Sequence, residues 1–207
     1  MTLKVEMLEK NDLSLSFKVS DVSPQFVNLL RRVMISRIPT LAIDDVIIIE
    51  NSSIMFDEML AHRLGLIPIR YDMLNTKEDT TAYFKCEVEA KEGDLVVYSK
   101  DLIPSDPNIK PAYETIPIVK LAKGQKVSFE AIARVKTGSE HARFQPVSVC
   151  TYKQLEDEKS FIFSFESTGV DLPEKILLKG IEVILNTYEN INKKLNELKD
   201  DKANRTN

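Results

Sequence analysis

Asp57, Glu58 and His62 come nearest, by type and spacing, to a group that could bind a metal or move protons. Glu58 and His62 stand four apart and would share one face of a helix. A metal site needs a third ligand, and no His-Glu-x-x-His pattern accompanies them. His62 and His141 are the only histidines and Cys86 and Cys150 the only cysteines, with no Cys-x-x-Cys pair. A four-ligand zinc or iron–sulfur site within the chain is therefore not expected. The two thiols read as small buried hydrophobes, Cys150 inside the apolar run Val-Ser-Val-Cys. Asp44-Asp45 opens a β-branched run and reads as a sheet-edge pair. No Gly-rich phosphate loop, Ser-His-Asp grouping or Asp-rich magnesium cluster is present. An enzyme built on Asp57, Glu58 and His62 is the catalytic alternative, and it has little to work with.

The other reactive feature is fixed positive charge on a helix. Between Val22 and Thr40, Ser23 is placed to cap a helix, and Pro24 at its first position loses no hydrogen bond there. Pro39 disfavours helical geometry at Ile38, so the helix stops before it. Phe26, Leu29, Leu30 and Val33 are spaced three, one and three apart, which predicts one apolar face. Arg31, Arg32 and Arg37 fall largely off that stripe. The pattern fits both a core helix with a solvated back and a helix that meets a partner.

At 207 residues the chain suffices for one large or two small domains. It is 43% hydrophobic and 29% charged, an ordinary soluble composition. A net charge of −4 supplies no global field for nucleic acid, which argues against a stand-alone DNA or RNA binder. The alternating start M-T-L-K-V-E-M-L-E-K has no signal-peptide core, and no run approaches the roughly eighteen apolar residues of a membrane span. A cytoplasmic protein with no membrane contact is expected.

Taken in order, Leu3 to Val19 predicts two strands around a turn at residues 9–12. Leu41 to Glu50 predicts a well-buried strand, and Asp57 to Leu66 a second helix ended by Gly65 and Pro68. Tyr83 to Ala90 and Asp94 to Tyr98 suggest strands paired through Gly93. Four prolines between Asp101 and Pro117 predict an irregular surface path. Alternation over Lys126 to Val135 gives a further strand, as do Phe144 to Tyr152 and Phe161, Phe163 and Phe165, with a charged junction at residues 154–159.

A long helix starts near Pro173. In it Leu177, Ile181, Ile184, Tyr188, Ile191, Leu195 and Leu198 are spaced 4, 3, 4, 3, 4 and 3, a heptad seam. Leu178 and Leu185 widen the seam only in its first half. The protein's own sheet suffices to cover that half, and the narrower second half calls for a partner helix. The tail from Asp200 is expected to be disordered. The residues thus predict an α+β protein that associates through helices and shows no active site.

Four stretches then carry a family likeness: F-V-N-L-L-R-R-V-M-I-S-R-I-P-T-L-A-I-D-D-V at 26–46, I-E-N-S-S-I-M-F-D-E-M-L-A-H-R-L-G-L-I-P-I at 49–69, residues 116–149, and F-S-F-E-S-T-G-V-D-L-P-E-K-I-L-L-K-G-I-E at 163–182. Together the chain resembles the D subunits of archaeal RNA polymerases, the α-like family to which the N-terminal region of bacterial α is related. The resemblance implies a discontinuous dimerisation domain of strands plus two long helices (residues 1–39 and 157–207) and an inserted mostly-β domain (40–156). It implies a non-catalytic assembly role within a nucleotidyltransferase complex that touches DNA only indirectly.

The implied partners are a smaller α-like subunit, L, in a pseudo-symmetric heterodimer, two small zinc subunits, N and P, and the second-largest subunit. Phe26, Leu29, Leu30 and Val33 match the family's interface helix, and Ile181, Ile184, Tyr188, Ile191 and Leu195 its C-terminal helix. Arg31 and Arg32 match a Leu-Arg-Arg near the large-subunit contact, where a guanidinium fork suits carboxylates or carbonyls. Many members carry a cysteine-rich iron–sulfur module before the last strand. Here only residues 153–160 join Tyr152 to Phe161, without cysteine, so the cofactor is expected to be absent. A homodimeric α-like binding module is the alternative to the heterodimer.

Overall fold

The computed structural model describes residues 3–77, 79–156 and 159–205, with side chains through residue 198. In chain order the elements are β1 (Lys4–Lys10), β2 (Ser14–Ser20), α1 (Pro24–Ser36), β3 (Thr40–Asn51), α2 (Asp57–Gly65) and β4 (Ile69–Arg70). There follow β5 (Thr81–Glu89), β6 (Leu95–Tyr98), β7 (Ile103–Pro104), β8 (Lys110–Pro111), β9 (Pro117–Leu121) and β10 (Lys126–Lys136). The chain ends with β11 (Val147–Gln154), β12 (Ser160–Ser167) and α3 (Pro173–Arg205).

The first and last strands form one antiparallel sheet in the order β1-β2-β12-β11. Its register aligns Met7, Phe17, Phe163 and Tyr152 across the four strands. Because a strand alternates faces, Leu15, Phe17, Val19, Phe161, Phe163 and Phe165 all turn inward and are buried. The rings of Phe17 and Phe163 stack at 5.4 Å. Lys4, Glu6, Ser16, Lys18 and Ser164 take the opposite, wet face, where the Ser16 and Ser164 hydroxyls hydrogen-bond at 2.8 Å. Helices α1 and α3 cover the apolar face, α1 over β11 and α3 over β12 and β2.

The segment between α1 and β11 builds the second sheet, in the order β3-β10-β5-β7, with small ladders β4–β8 and β6–β9 beside it. Helix α2 packs on β3, and the Arg63 guanidinium ties it to β9 by donating to the Ile118 carbonyl at 3.0 Å and the Pro117 carbonyl at 2.6 Å. The two parts share one continuous core. Tyr71 joins them: its hydroxyl accepts from the Leu41 N–H at 3.1 Å while its own N–H donates to the Val170 carbonyl at 3.1 Å. The architecture is α+β, with an inserted β region.

Several details differ from the sequence reading. Strand β11 pairs with β12, so residues 147–154 belong to the terminal sheet and the expected boundary at 156/157 falls beyond a strand of that sheet. Strands β5 and β6 do not pair with each other; β5 joins β10 and β6 joins β9, because long-range partners outcompete a local hairpin. Only the first four residues of β3 are fully buried, and Ile47 and Ile49 stand on the uncovered face of their sheet. The backbone remains helical to Arg205 where a disordered tail was expected. Junction residues 157–158 and tail residues 206–207 lie outside the described residues.

Candidate assembly interface

Helix α1 starts as its sequence dictates. Ser23 accepts a hydrogen bond from the Phe26 N–H at 3.3 Å, Pro24 occupies the first turn, and the Arg37 N–H closes the last turn on the Val33 carbonyl at 2.9 Å. The helix carries two apolar stripes side by side. Val27, Leu30 and Met34 repeat at three and four and are buried in the chain's own core. Phe26 and Leu29 repeat one position earlier, rotated by about 100°, and stand 41% and 46% exposed. Val33 continues this outer stripe one turn further on but is buried. Of the four residues expected on one face, the structure therefore turns Leu30 and Val33 inward and Phe26 and Leu29 outward.

Helix α3 lies against α1 where Gly180 meets Met34 and Ile38. A Cβ at Gly180 would come within 2.8 Å of the Met34 sulfur, and Met34 is fully buried. Ile176 is buried and Ile184 partly so, packed against the core. Beyond Ile184 every described side chain of α3 is exposed. Leu178, Ile181, Leu185, Tyr188, Ile191 and Leu195 stand 39–69% exposed, an apolar seam that the described residues of this chain cover only in part. Periodicity signalled the seam from Ile181 to Leu195; it did not signal Gly180, whose role is visible only once two distant helices meet.

The arginines separate. Arg31 is half-buried and donates through Nη2 to Asn28 Oδ1 at 3.0 Å. Arg32 is exposed and lines an open groove with Gln25, Leu29, Arg37 and Ser139. Among the described residues neither Arg31 nor Arg32 forms an ion pair. A second exposed apolar group, Ile54, Phe56 and Met59, marks the entry to α2.

The candidate chemical groups take structural positions. Asp57 accepts from the Asn51 amide at 2.7 Å and shares the first turn of α2 with Glu58, where carboxylates complement the positive end of the helix dipole. Among the described residues no three His, Cys, Asp or Glu side chains gather as a ligand set. Asp44 and Asp45 both pair with Arg134 across the β3–β10 ladder, and Asp44 also meets Lys136 at 2.7 Å. Burial pushes the Asp44 carboxyl up, but Lys136 and Arg134 outweigh it and hold the group below the usual carboxylate range. Cys86 on β5 and Cys150 on β11 are buried, and that burial pushes each thiol up to about 12. Among the described residues no helix is long and apolar enough to cross a membrane.

Comparison with known families matches residues 16–187 to the RNA polymerase Rpb3/Rpb11 dimerisation domain. The DNA-directed RNA polymerase subunit Rpo3 of Methanobrevibacter smithii is 41% identical over 180 residues, covering 82% of this chain and 63% of that protein. Rpo3 of Methanosphaera stadtmanae is 38% identical over 205 residues, 91% of this chain and 76% of the relative. Rpo3 of Thermococcus kodakarensis is 44% identical over 160 residues, covering 74% of this chain and 60% of the relative.

Proposed function

Since the chain belongs to the RNA polymerase Rpb3/Rpb11 dimerisation family, we propose that it is a non-catalytic assembly subunit of a cytoplasmic, archaeal-type DNA-directed RNA polymerase. It pairs with a smaller α-like subunit, of the L type, through α1 and α3. The observation that carries this reading is the exposed apolar seam of α3 together with exposed Phe26 and Leu29 on α1, the helix it packs against. Apolar surface of that extent favours association, since each fully buried large side chain contributes about 1.5–3 kcal/mol before entropy is charged against it. Nucleotide addition belongs in this reading to the large subunits, and DNA is met only through the complex.

The same reading makes the paired platform the seat for the second-largest subunit and the small zinc subunits N and P. Arg32 is the better placed of the two arginines for the large-subunit contact, being exposed with its fork uncommitted, whereas Arg31 is engaged by Asn28. The chain acts without an iron–sulfur cluster. Support comes from the cysteine-free link between β11 and β12 and from the placement of the two thiols on different sheets.

Native mass spectrometry of the tagged chain recovered from its own cells tests the reading. A one-to-one complex with an α-like subunit, alone or within a polymerase-sized assembly, is expected. A chain recovered alone or paired only with itself, always without large subunits, overturns it.

A further inference from the structure

The corner between β12 and α3 is gripped by the inserted region. Residues 70–73 of the insert run beside residues 169–171 in the same direction. The Arg70 guanidinium donates to the Gly169 carbonyl at 3.3 Å, the Tyr71 N–H to the Val170 carbonyl at 3.1 Å, and the Met73 N–H to Asp171 Oδ2 at 2.9 Å. Tyr71, Met73 and Val170 are buried. Gly169 holds a φ of +96°, and a Cβ there would come within 2.8 Å of the Tyr113 hydroxyl, so a second insert segment closes on the same corner.

The grip passes into the first turn of α3. Asp171, whose side chain is nearly buried, accepts from the Leu172 N–H at 2.8 Å through Oδ1 while Oδ2 takes the Met73 N–H, so one carboxylate pins both segments. Lys175, one turn on, pairs with Asp72 at 3.1 Å and with Asp171 at 3.6 Å. Its neighbour Glu174 pairs with Lys10 of β1 at 2.6 Å. The base of the helix is thus tied to both parts of the molecule. The next hold is the crossing at Gly180. Beyond Ile184 every described side chain is exposed, and the helix overhangs the fold as far as Arg205. Pro173 lies about 10 Å to one side of the crossing and Arg205 about 38 Å to the other, so a slip of about 1 Å at the base carries the tip about 4 Å.

We propose that the inserted region aims α3: the clasp of residues 70–73 on 169–171, pinned by Asp171, sets the direction of the overhang, and Asp171 is a positioning residue for the apolar seam. The two parts already share one core, so a nearly buried carboxylate is a costly way merely to join them. Apolar contact is non-directional, whereas hydrogen bonds to a carboxylate fix a direction, and Asp171 stands where direction is amplified. The crossing at Gly180 is the pivot, and the clasp is the second fixed point that sets the line of the rod. A load on the insert is then felt at the seam, and whatever holds the seam is felt at the insert with the same coupling free energy. This goes beyond the assembly role, because it is a property of the lone chain and stands whichever partner the seam takes.

Paired spin labels in the full-length chain provide the test, with distances read by pulsed electron paramagnetic resonance. Cysteine replaces the exposed residues Glu6 on β1 and Lys194 on α3 in one sample, and Glu6 and Glu92 of the insert in another; Cys86 and Cys150 are buried and stay unlabelled. Asp171→Ala should shift or broaden the Glu6–Lys194 distance by about 4 Å or more, the lever's amplification of a small slip, and change the Glu6–Glu92 distance much less. An unchanged Glu6–Lys194 distance overturns the proposal. An equal change in both distances also overturns it, because the corner then only joins two bodies and does not aim the helix. Should Asp171→Ala not fold, the double substitution Asp72→Ala, Lys175→Ala removes only a surface ion pair of the clasp and is decided by the same two distances.

Discussion

Neighbouring residues of one type here hold different posts, and substitution separates them. Arg32→Ala should weaken recruitment of the second-largest subunit about tenfold in a pull-down and spare the heterodimer, since its guanidinium reaches into an open groove. Arg31→Ala should act less on recruitment, because that fork is already engaged by Asn28; equal effects would contradict the assignment. The aspartate pair on β3 makes a pH prediction. Asp44 has a depressed carboxyl in the folded state, so its contribution is complete above the unfolded value near 4 and drains away as pH falls through the lower folded value. Asp44→Asn should therefore lower stability by about 1 kcal/mol at pH 7, with the two unfolding curves converging below about pH 4. The Asp44-Asp45 pair was legible as a feature of a strand end. Its partner Arg134 was not, because nothing local announces a neighbour ninety positions away.

At the level of elements, the two stripes of α1 give a paired prediction. Leu30→Asp buries a charge in the chain's own core and should destabilise the lone protein by several kcal/mol in denaturant titration. Leu29→Asp should leave that stability within about 0.5 kcal/mol and abolish pairing, as read by size-exclusion chromatography with the partner. If Leu29→Asp still pairs, the outer stripe is not the interface. Gly180→Val tests the crossing of the helices: overpacking against Met34 costs about 1–3 kcal/mol and exceeds the helix propensity gained, at most about 1 kcal/mol, so thermal unfolding should move down. The helices themselves were readable from Ser23, Pro24 and the heptad spacing. Their two-sidedness was not, because adjacent stripes merge in a linear pattern and only the neighbouring sheet decides which one is inward. The β5–β6 hairpin failed for a related reason: proximity in sequence suggested a pairing that β10 and β9 supplied from farther away.

For the molecule as a whole, the joining of first and last strands in one sheet is what makes the middle an insertion. The discontinuity came from family likeness; the side of it on which β11 falls came from pairing alone. A chain ending after Thr187 should unfold at the same temperature as the full chain, since the side chains of residues 188–198 are all exposed, yet bind its α-like partner at least a hundredfold more weakly. A lowered midpoint would mean the overhang stabilises its own fold. The overhang also has a cellular consequence. An unassembled copy displays an apolar rod that chaperones and proteases recognise, and assembly hides it, so the lifetime of a copy becomes a readout of whether it has found its mate. In a pulse–chase experiment with the partner depleted, full-length chains should decay rapidly and chains ending after Thr187 should persist.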